Sequence, residues 1–217
     1  MKFRPLLTTA IICCSLPLTA IAYSQNNEFL RDAPFTATRR YVEPNGAVRI
    51  QKIARRSDGS TYLLDFDSKG VPVYVQIRDV PNRRDVLLVL THGLYVITPW
   101  TVGENPTSSL DEFRARSRGP HSTSVGQTDL GPKVESGMTL YGQTMEYPPI
   151  GKIERWEAAE LGTTYSITTN LKDGTQRKMT LVDIQRGEPD QRLFEIPKDY
   201  KPANVGYPRN IQNNMAH

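Results

Sequence analysis

Alternation with period two dominates this chain. In Val71-Pro72-Val73-Tyr74-Val75-Gln76-Ile77-Arg78 the odd positions are apolar and β-branched while most even positions can face water, the pattern of a half-buried strand. Pro72 then belongs at the strand's start or on an edge, where its missing N–H breaks no ladder. Residues 47–56 and 60–67 flank Ser57-Asp58-Gly59, and Asp-Gly supplies the positive φ that a tight hairpin needs. The same grammar recurs downstream: residues 163–171 place Tyr165, Ile167 and Leu171 on one face, Asp173-Gly174 turns, and residues 175–185 return with Met179 and Leu181. Residues 86–92 and 94–98 read as two strands around Gly93, the first continuously apolar and so central in a sheet. Residues 36–42, 138–146 and 152–157 are further strands. Helix signals are few: residues 26–32 ahead of Pro34, and Glu188-Pro189-Asp190-Gln191-Arg192-Leu193, with proline where a first helical turn tolerates it. The expectation is a mainly β chain, an antiparallel meander forming a curved sheet or half-barrel with a few short helical turns.

The first residues carry a different signal. Lys2 and Arg4 precede an apolar run from Pro5 through Ile21 that ends in Ala20-Ile21-Ala22. A cationic start, a short apolar core and an A-x-A site mark residues 1–22 as a secretory signal peptide, with the mature chain beginning at Tyr23. Ala22-Tyr23-Ser24 has the same spacing of small residues and would move the start to Gln25. The alternative of an uncut anchor is opposed by Pro17 and three threonines, which interrupt a run already shorter than the roughly 20 residues a span requires. Cys13 and Cys14 invite a check for lipidation, but neither follows Ala, Gly or Ser.

These are the only two cysteines in the chain. The exported form therefore lacks disulfides, thiolate chemistry and Cys-ligated zinc. It suits one β-rich domain over residues 23–200, large enough to bury a core without covalent staples, followed by a polar, flexible tail at 201–217. The formal charge of +4 includes Lys2 and Arg4, and the remaining Arg and Lys are scattered without interleaved aromatics, which argues against nucleic acid. Residues 99–137 are rich in Ser, Thr, Gly, Pro and charge and show no clear period. They read as a long irregular loop, a lid or a disordered excursion. Within it Arg114, Arg116 and Arg118 alternate, a basic edge for an acidic surface or simply solvated charge.

Catalytic vocabulary is sparse. The histidines are His92, His121 and His217, and no H-E-x-x-H, G-x-S-x-G or P-loop pattern occurs. His92 is the one candidate base on an ordered element, flanked by Thr91 and Gly93. Asp65-Phe66-Asp67-Ser68-Lys69-Gly70 opens like an EF-hand loop, but Lys69 takes a ligand position and Gln76 replaces the bidentate glutamate, so a hairpin turn accounts for it better. Asp65 and Asp67 share a strand face and would make a carboxylate pair if another element faced them. Glu154, Glu157 and Glu160 fall at spacing three, which on a helix would gather cations; a strand followed by a Glu-Leu-Gly turn, with Trp156 in the core, fits better. Asn105-Pro106-Thr107 is not a glycosylation site because of its proline. No catalytic, metal or cofactor-binding residue is nominated, and no cofactor.

The most specific text is the C-terminal stretch: Trp156, Glu160-Leu161-Gly162, the Asp173-Gly174 hairpin, then Arg186-Gly187-Glu188-Pro189-Asp190, Leu193-Phe194-Glu195-Ile196-Pro197 and Asp199-Tyr200. Residues 150–200 resemble the C-terminal half of a family of secreted, uncharacterised β-rich bacterial proteins with an E-P-D-x-x-L-F-x-x-P-x-x-Y ending. That resemblance implies a Thr-rich, glycine-punctuated hairpin just before the tryptophan strand, which the residues there do not display. The ending reads as a latch: Pro189 starts a turn, Leu193 and Phe194 fold back onto the core, Ile196 and Tyr200 extend the seal and Pro197 stops further pairing. More distantly, the ending is similar to that of lipoprotein carriers, the LolA-like half-barrels that hold acyl chains, a likeness of fold.

The functional expectation is an exported, periplasmic or extracellular, non-enzymatic β domain that binds a ligand, either a lipid or other amphiphile or a component of the cell envelope. Two alternatives stay open: a hydrolase using Asp65, Asp67 or His92, and a structural protein whose residues 114–118 touch acidic envelope polymers.

Overall fold

In a computed structural model the described residues are 30–100, 109–118 and 126–203, with helix side chains described as far as Arg114. The expected signal peptide, most of the expected 26–32 turn, His121, His217, Asn105-Pro106-Thr107 and the tail from residue 204 lie outside them. The described chain is mainly β. Its strands are β1 (Phe35–Val42), β2 (Val48–Arg55), β3 (Thr61–Phe66), β4 (Pro72–Asp79), β5 (Arg84–Val89), β6 (Leu94–Pro99), β7 (Gln127–Glu135), β8 (Met138–Tyr147), β9 (Gly151–Ala158), β10 (Thr163–Leu171), β11 (Gln176–Arg186) and the two-residue β12 (Lys201–Pro202). One helix, α1 (Leu110–Arg118), lies between β6 and β7.

All twelve strands join one open sheet in the order β12-β6-β5-β4-β3-β2-β1-β11-β10-β9-β8-β7. It consists of two antiparallel meanders, β1 to β6 and β7 to β11, fused where β1 pairs with β11. The turns are those the sequence announces. Gly59 and Gly174 adopt φ of 91° and 83°, and Asp58 and Asp173 accept the amides of Ser60 and Thr175. β4 begins at Pro72, which lies opposite Phe66. Fusing the meanders requires a bulge between Thr36 and Thr38, where Asp183 on β11 takes φ 54°.

Register shows that the two halves of the sheet bury opposite faces. Phe35 and Ala37 share a face with Ile53 and, through it, Leu63; these belong to one apolar cluster with Met138, Leu140, Leu161, Tyr165 and Leu181. Leu64, Val75, Leu88 and Tyr95 form a row on the other face, in a second cluster with Ile77 and Val86. Phe194, Ile196 and Tyr200 pack against this second cluster, so the latch closes on the β3–β6 half. Its turn is a 3₁₀ segment, Gln191–Phe194, capped by Asp190, whose side chain accepts the Arg192 amide at 2.9 Å; Leu193 is half-buried outside the cluster.

Three expectations are corrected. The segment 99–137 is not irregular throughout, since it contains α1 and the nine-residue edge strand β7. The helix is set by a capping box: the Glu112 amide donates to Ser109 Oγ at 3.2 Å and the Ser109 amide to Glu112 Oε2 at 3.0 Å. β7 escapes a periodicity reading because Gly131 and Pro132 interrupt it, yet it pairs with β8 as the glycine-punctuated hairpin that the resemblance implies. The strand expected over 86–92 stops at Val89, and Leu90–His92 form a 3₁₀ turn. The tail is held at its start, where Lys201 and Pro202 pair in parallel with Leu94 and Tyr95. Among the described residues no helix is long and apolar enough to cross a membrane.

Candidate functional site

The face carrying Phe35 and Ala37 is the concave one at the fused centre of the sheet. Arg55 on β2 lies three strand spacings from β10, about 14 Å on a flat sheet. Its Nη1 nevertheless donates to Gly162 O at 3.2 Å and its Nη2 to Leu161 O, both in the β9–β10 turn. The sheet therefore bends toward this face. Leu30 and Leu110 seal the turn from outside, approaching Gly162 so closely that a Cβ there would sit 1.8 Å from Leu30 Cδ2.

Two cross-strand rows define the surface. One runs Arg155, Ile167, Met179, Tyr41 and Arg49; the next runs Leu181, Arg39, Gln51, Asp65 and Tyr74. Ile167, Met179 and Leu181 thus form an apolar strip on β10 and β11, with arginines on either side. Beside Leu181 opens a cavity of about 360 Å³ lined by Ser136, Met138, Tyr165, Leu181, Val182, Asp183, Ile184 and Arg186. Its polar edge is organised by Tyr165, whose hydroxyl donates to Glu135 Oε1 at 3.2 Å.

On β1 to β3 the strip gives way to a chain of polar contacts. Tyr41 donates its hydroxyl to Gln51 Oε1 at 2.8 Å, and Gln51 Nε2 donates to Asp65 Oδ1 at 2.6 Å. Arg49 Nη1 lies 3.8 Å from the same carboxylate oxygen and its guanidinium sits 4.3 Å from the Tyr41 ring. Arg39, directly opposite Gln51, has its Nε buried without a hydrogen-bond partner. Arg155 also leaves Nε buried and unpartnered, although its Nη2 is ion-paired with Glu157. These arginines escape a reading of the sequence because charge on an alternating strand looks solvated; only the curvature of the sheet reveals which face is enclosed.

The structure separates the residues that the sequence suggested for catalysis. Asp65 is buried and held by Gln51, whereas Asp67 lies beyond the end of β3 and accepts the amides of Lys69 and Val71 at 2.9 and 2.8 Å, making a hairpin turn. His92 is exposed on its 3₁₀ turn and makes no hydrogen bond or ion pair among the described residues. Glu154 accepts Trp156 Nε1 at 2.6 Å, Glu157 faces the opposite side of β9 beside Arg155, and Glu160 binds the Thr139 amide at 3.0 Å in the turn. Burial pushes the Glu160 carboxyl up, but the Thr139 hydrogen bonds and the Arg186 charge outweigh it and hold the group below its usual value. Arg114 pairs with Asp111 at 3.4 Å on α1, and on a helix alternate positions such as 114, 116 and 118 do not make one edge. A second cleft, about 410 Å³ between the latch and the β4–β5 turn, has its arginines ion-paired, Arg84 with Asp79 at 2.8 Å and Arg56 with Glu188 at 3.2 Å.

No family model and no curated protein matches the chain. Among solved structures it is similar to an uncharacterized conserved protein from Thermus thermophilus, with a TM-score of 0.52 and 9% identity over 82% of this chain and 92% of that one. It is also similar to the MucA/MucB complex of Pseudomonas aeruginosa, at 0.49 and 15%, covering 81% of this chain and 59% of that one. A LolA superfamily protein from Nitrosomonas europaea is more remote, at 0.32 and 9%, covering 78% and 93%. The Thermus protein shares the fold, and at this identity the likeness speaks to architecture alone.

Proposed function

We propose that this protein is an exported, non-enzymatic binding domain that holds an amphiphilic ligand against the concave face of its sheet. One observation carries the reading: the apolar strip of Ile167, Met179 and Leu181 runs beside a cavity of about 360 Å³ lined by both apolar and polar side chains, the mixed lining an amphiphile requires. The leader pattern of residues 1–22 supports export, and the resemblance of the ending to lipoprotein carriers points the same way. Catalysis finds little support, because the carboxylate of Asp67 is taken up by its own turn and that of Asp65 by Gln51.

Solvent extraction of the protein purified from the cell envelope, with mass spectrometry of the extract, tests the reading, together with uptake of the apolar fluorophore N-phenyl-1-naphthylamine. A bound amphiphile and displaceable fluorophore are expected. An empty extract combined with no fluorophore uptake overturns the proposal.

A further inference from the structure

Arg39 lies at the border between the apolar strip and the polar chain. Its cross-strand neighbours are Leu181 on one side and Gln51 on the other. Leu181 offers no acceptor. Gln51 is committed at both ends, accepting from Tyr41 and donating to Asp65. Asp65, the nearest carboxylate along the row, is occupied by Gln51 and faced by Arg49. Arg39 is therefore left with no hydrogen bond or ion pair among the described residues, and its Nε is shut away from water. Arg39 is half-buried: its Nε is shut away without an acceptor, while its terminal nitrogens are not buried and have no protein acceptor among the described residues, so a ligand's oxygens can meet them. The opposite rail repeats it in weaker form, with Arg155 Nε also buried and unpartnered.

We infer that Arg39 anchors an anionic headgroup of the phosphate type, so that the ligand is an anionic amphiphile whose apolar part lies along Leu181, Met179 and Ile167. This rests on the reading of the concave face as an amphiphile site and adds its headgroup chemistry. The planar fork of Arg39 offers paired N–H donors to two oxygens of one anion. Positive charge from Arg49, diagonal to Arg39 across the β1–β2 pair, adds to the attraction.

Titration calorimetry of the exported full-length protein with dodecyl phosphate, dodecyl maltoside and inorganic phosphate tests the inference, with both alkyl probes below their micellar concentrations. Dodecyl phosphate is expected to bind at least about tenfold more tightly than dodecyl maltoside. Arg39→Gln should abolish that preference, and Arg39→Lys should retain part of it. Equal binding of the two alkyl probes to the wild type overturns the headgroup assignment and leaves the amphiphile reading standing. A preference that survives in folded Arg39→Gln overturns it as well. Binding of neither alkyl probe overturns both readings, and inorganic phosphate binding as tightly as dodecyl phosphate, in an Arg39-dependent way, supports the anion subsite while removing the apolar chain from the ligand. If Arg39→Gln does not fold, the wild-type preference and the Arg39→Lys variant decide.

Discussion

Arg55 and Leu161, 106 positions apart in the chain, are joined by a hydrogen bond from the buried guanidinium of the first to the backbone carbonyl of the second. The same side chain donates to Ala33 O through Nε and Nη2, at 3.1 and 3.0 Å, and to Gly162 O, and its guanidinium lies 4.9 Å from the Phe35 ring. Only backbone oxygens receive it. Burial pushes its pKa down to about 10, so it remains charged at neutral pH. This one side chain ties the entry to β1 and the β9–β10 turn onto β2, on the side toward which the sheet bends.

Replacing Arg55 with leucine should strip donors from three carbonyls at once. Arg55→Leu is expected to lower stability by about 3 to 5 kcal/mol, read as a shift of the urea midpoint at pH 7. A loss below about 1 kcal/mol would show that the bend holds without the clamp.

Trp156 lies across Gly142, where a Cβ would come 2.5 Å from the ring. Its indole donates to Glu154 and faces Lys133, whose Nζ is 4.0 Å from the ring centroid. Gly142→Ala should push the ring away at a cost of about 1 to 3 kcal/mol and red-shift the tryptophan emission. In a Trp156→Leu background the same alanine should cost far less, so a double-mutant cycle with no coupling would refute the contact's role.

The latch should behave as a lid on the second cluster. Phe194 packs there with its ring centroid 6.1 Å from that of Tyr62. Phe194→Ala is expected to cost about 2 kcal/mol, less than a fully buried phenylalanine because the residue is half-exposed. Binding of an apolar dye should rise in the same variant, and unchanged dye binding would mean that Ile196 and Tyr200 suffice.

Acid should loosen the β8–β9 end of the sheet. The folded pKa of Glu160 lies below its ordinary value of 4.5, so its ionised form contributes stability that is fully present above that value. This contribution is lost as pH falls through the lower folded value. Glu160→Gln should flatten the acid limb of stability measured between pH 3 and 7, and a variant with the wild-type slope would assign the acid sensitivity elsewhere.

Much of this architecture was legible in the sequence because hairpins are local. Asp58-Gly59 and Asp173-Gly174 encode their turns within a few residues, period-two alternation marks the strands beside them, and the latch residues Phe194, Ile196 and Tyr200 can be read from their spacing. α1 was legible in principle through Ser109-Leu110-Asp111-Glu112, a capping box obscured by the polar residues around it. β7 was not, since Gly131 and Pro132 erase its alternation and only pairing with β8 makes it a strand.

By itself, then, the sequence determined a leader-like start, a chain free of thiols beyond it and a set of strands with their turns, all written in short-range chemistry. Tertiary structure alone decided that β1 pairs with β11 across some 140 residues, and which face of the fused sheet turns inward. Alternation sorts side chains into two sets but does not say which set is enclosed. That choice accompanies the bend clamped by Arg55, and it turns Arg39 from an apparent surface charge into a half-buried, unanswered one.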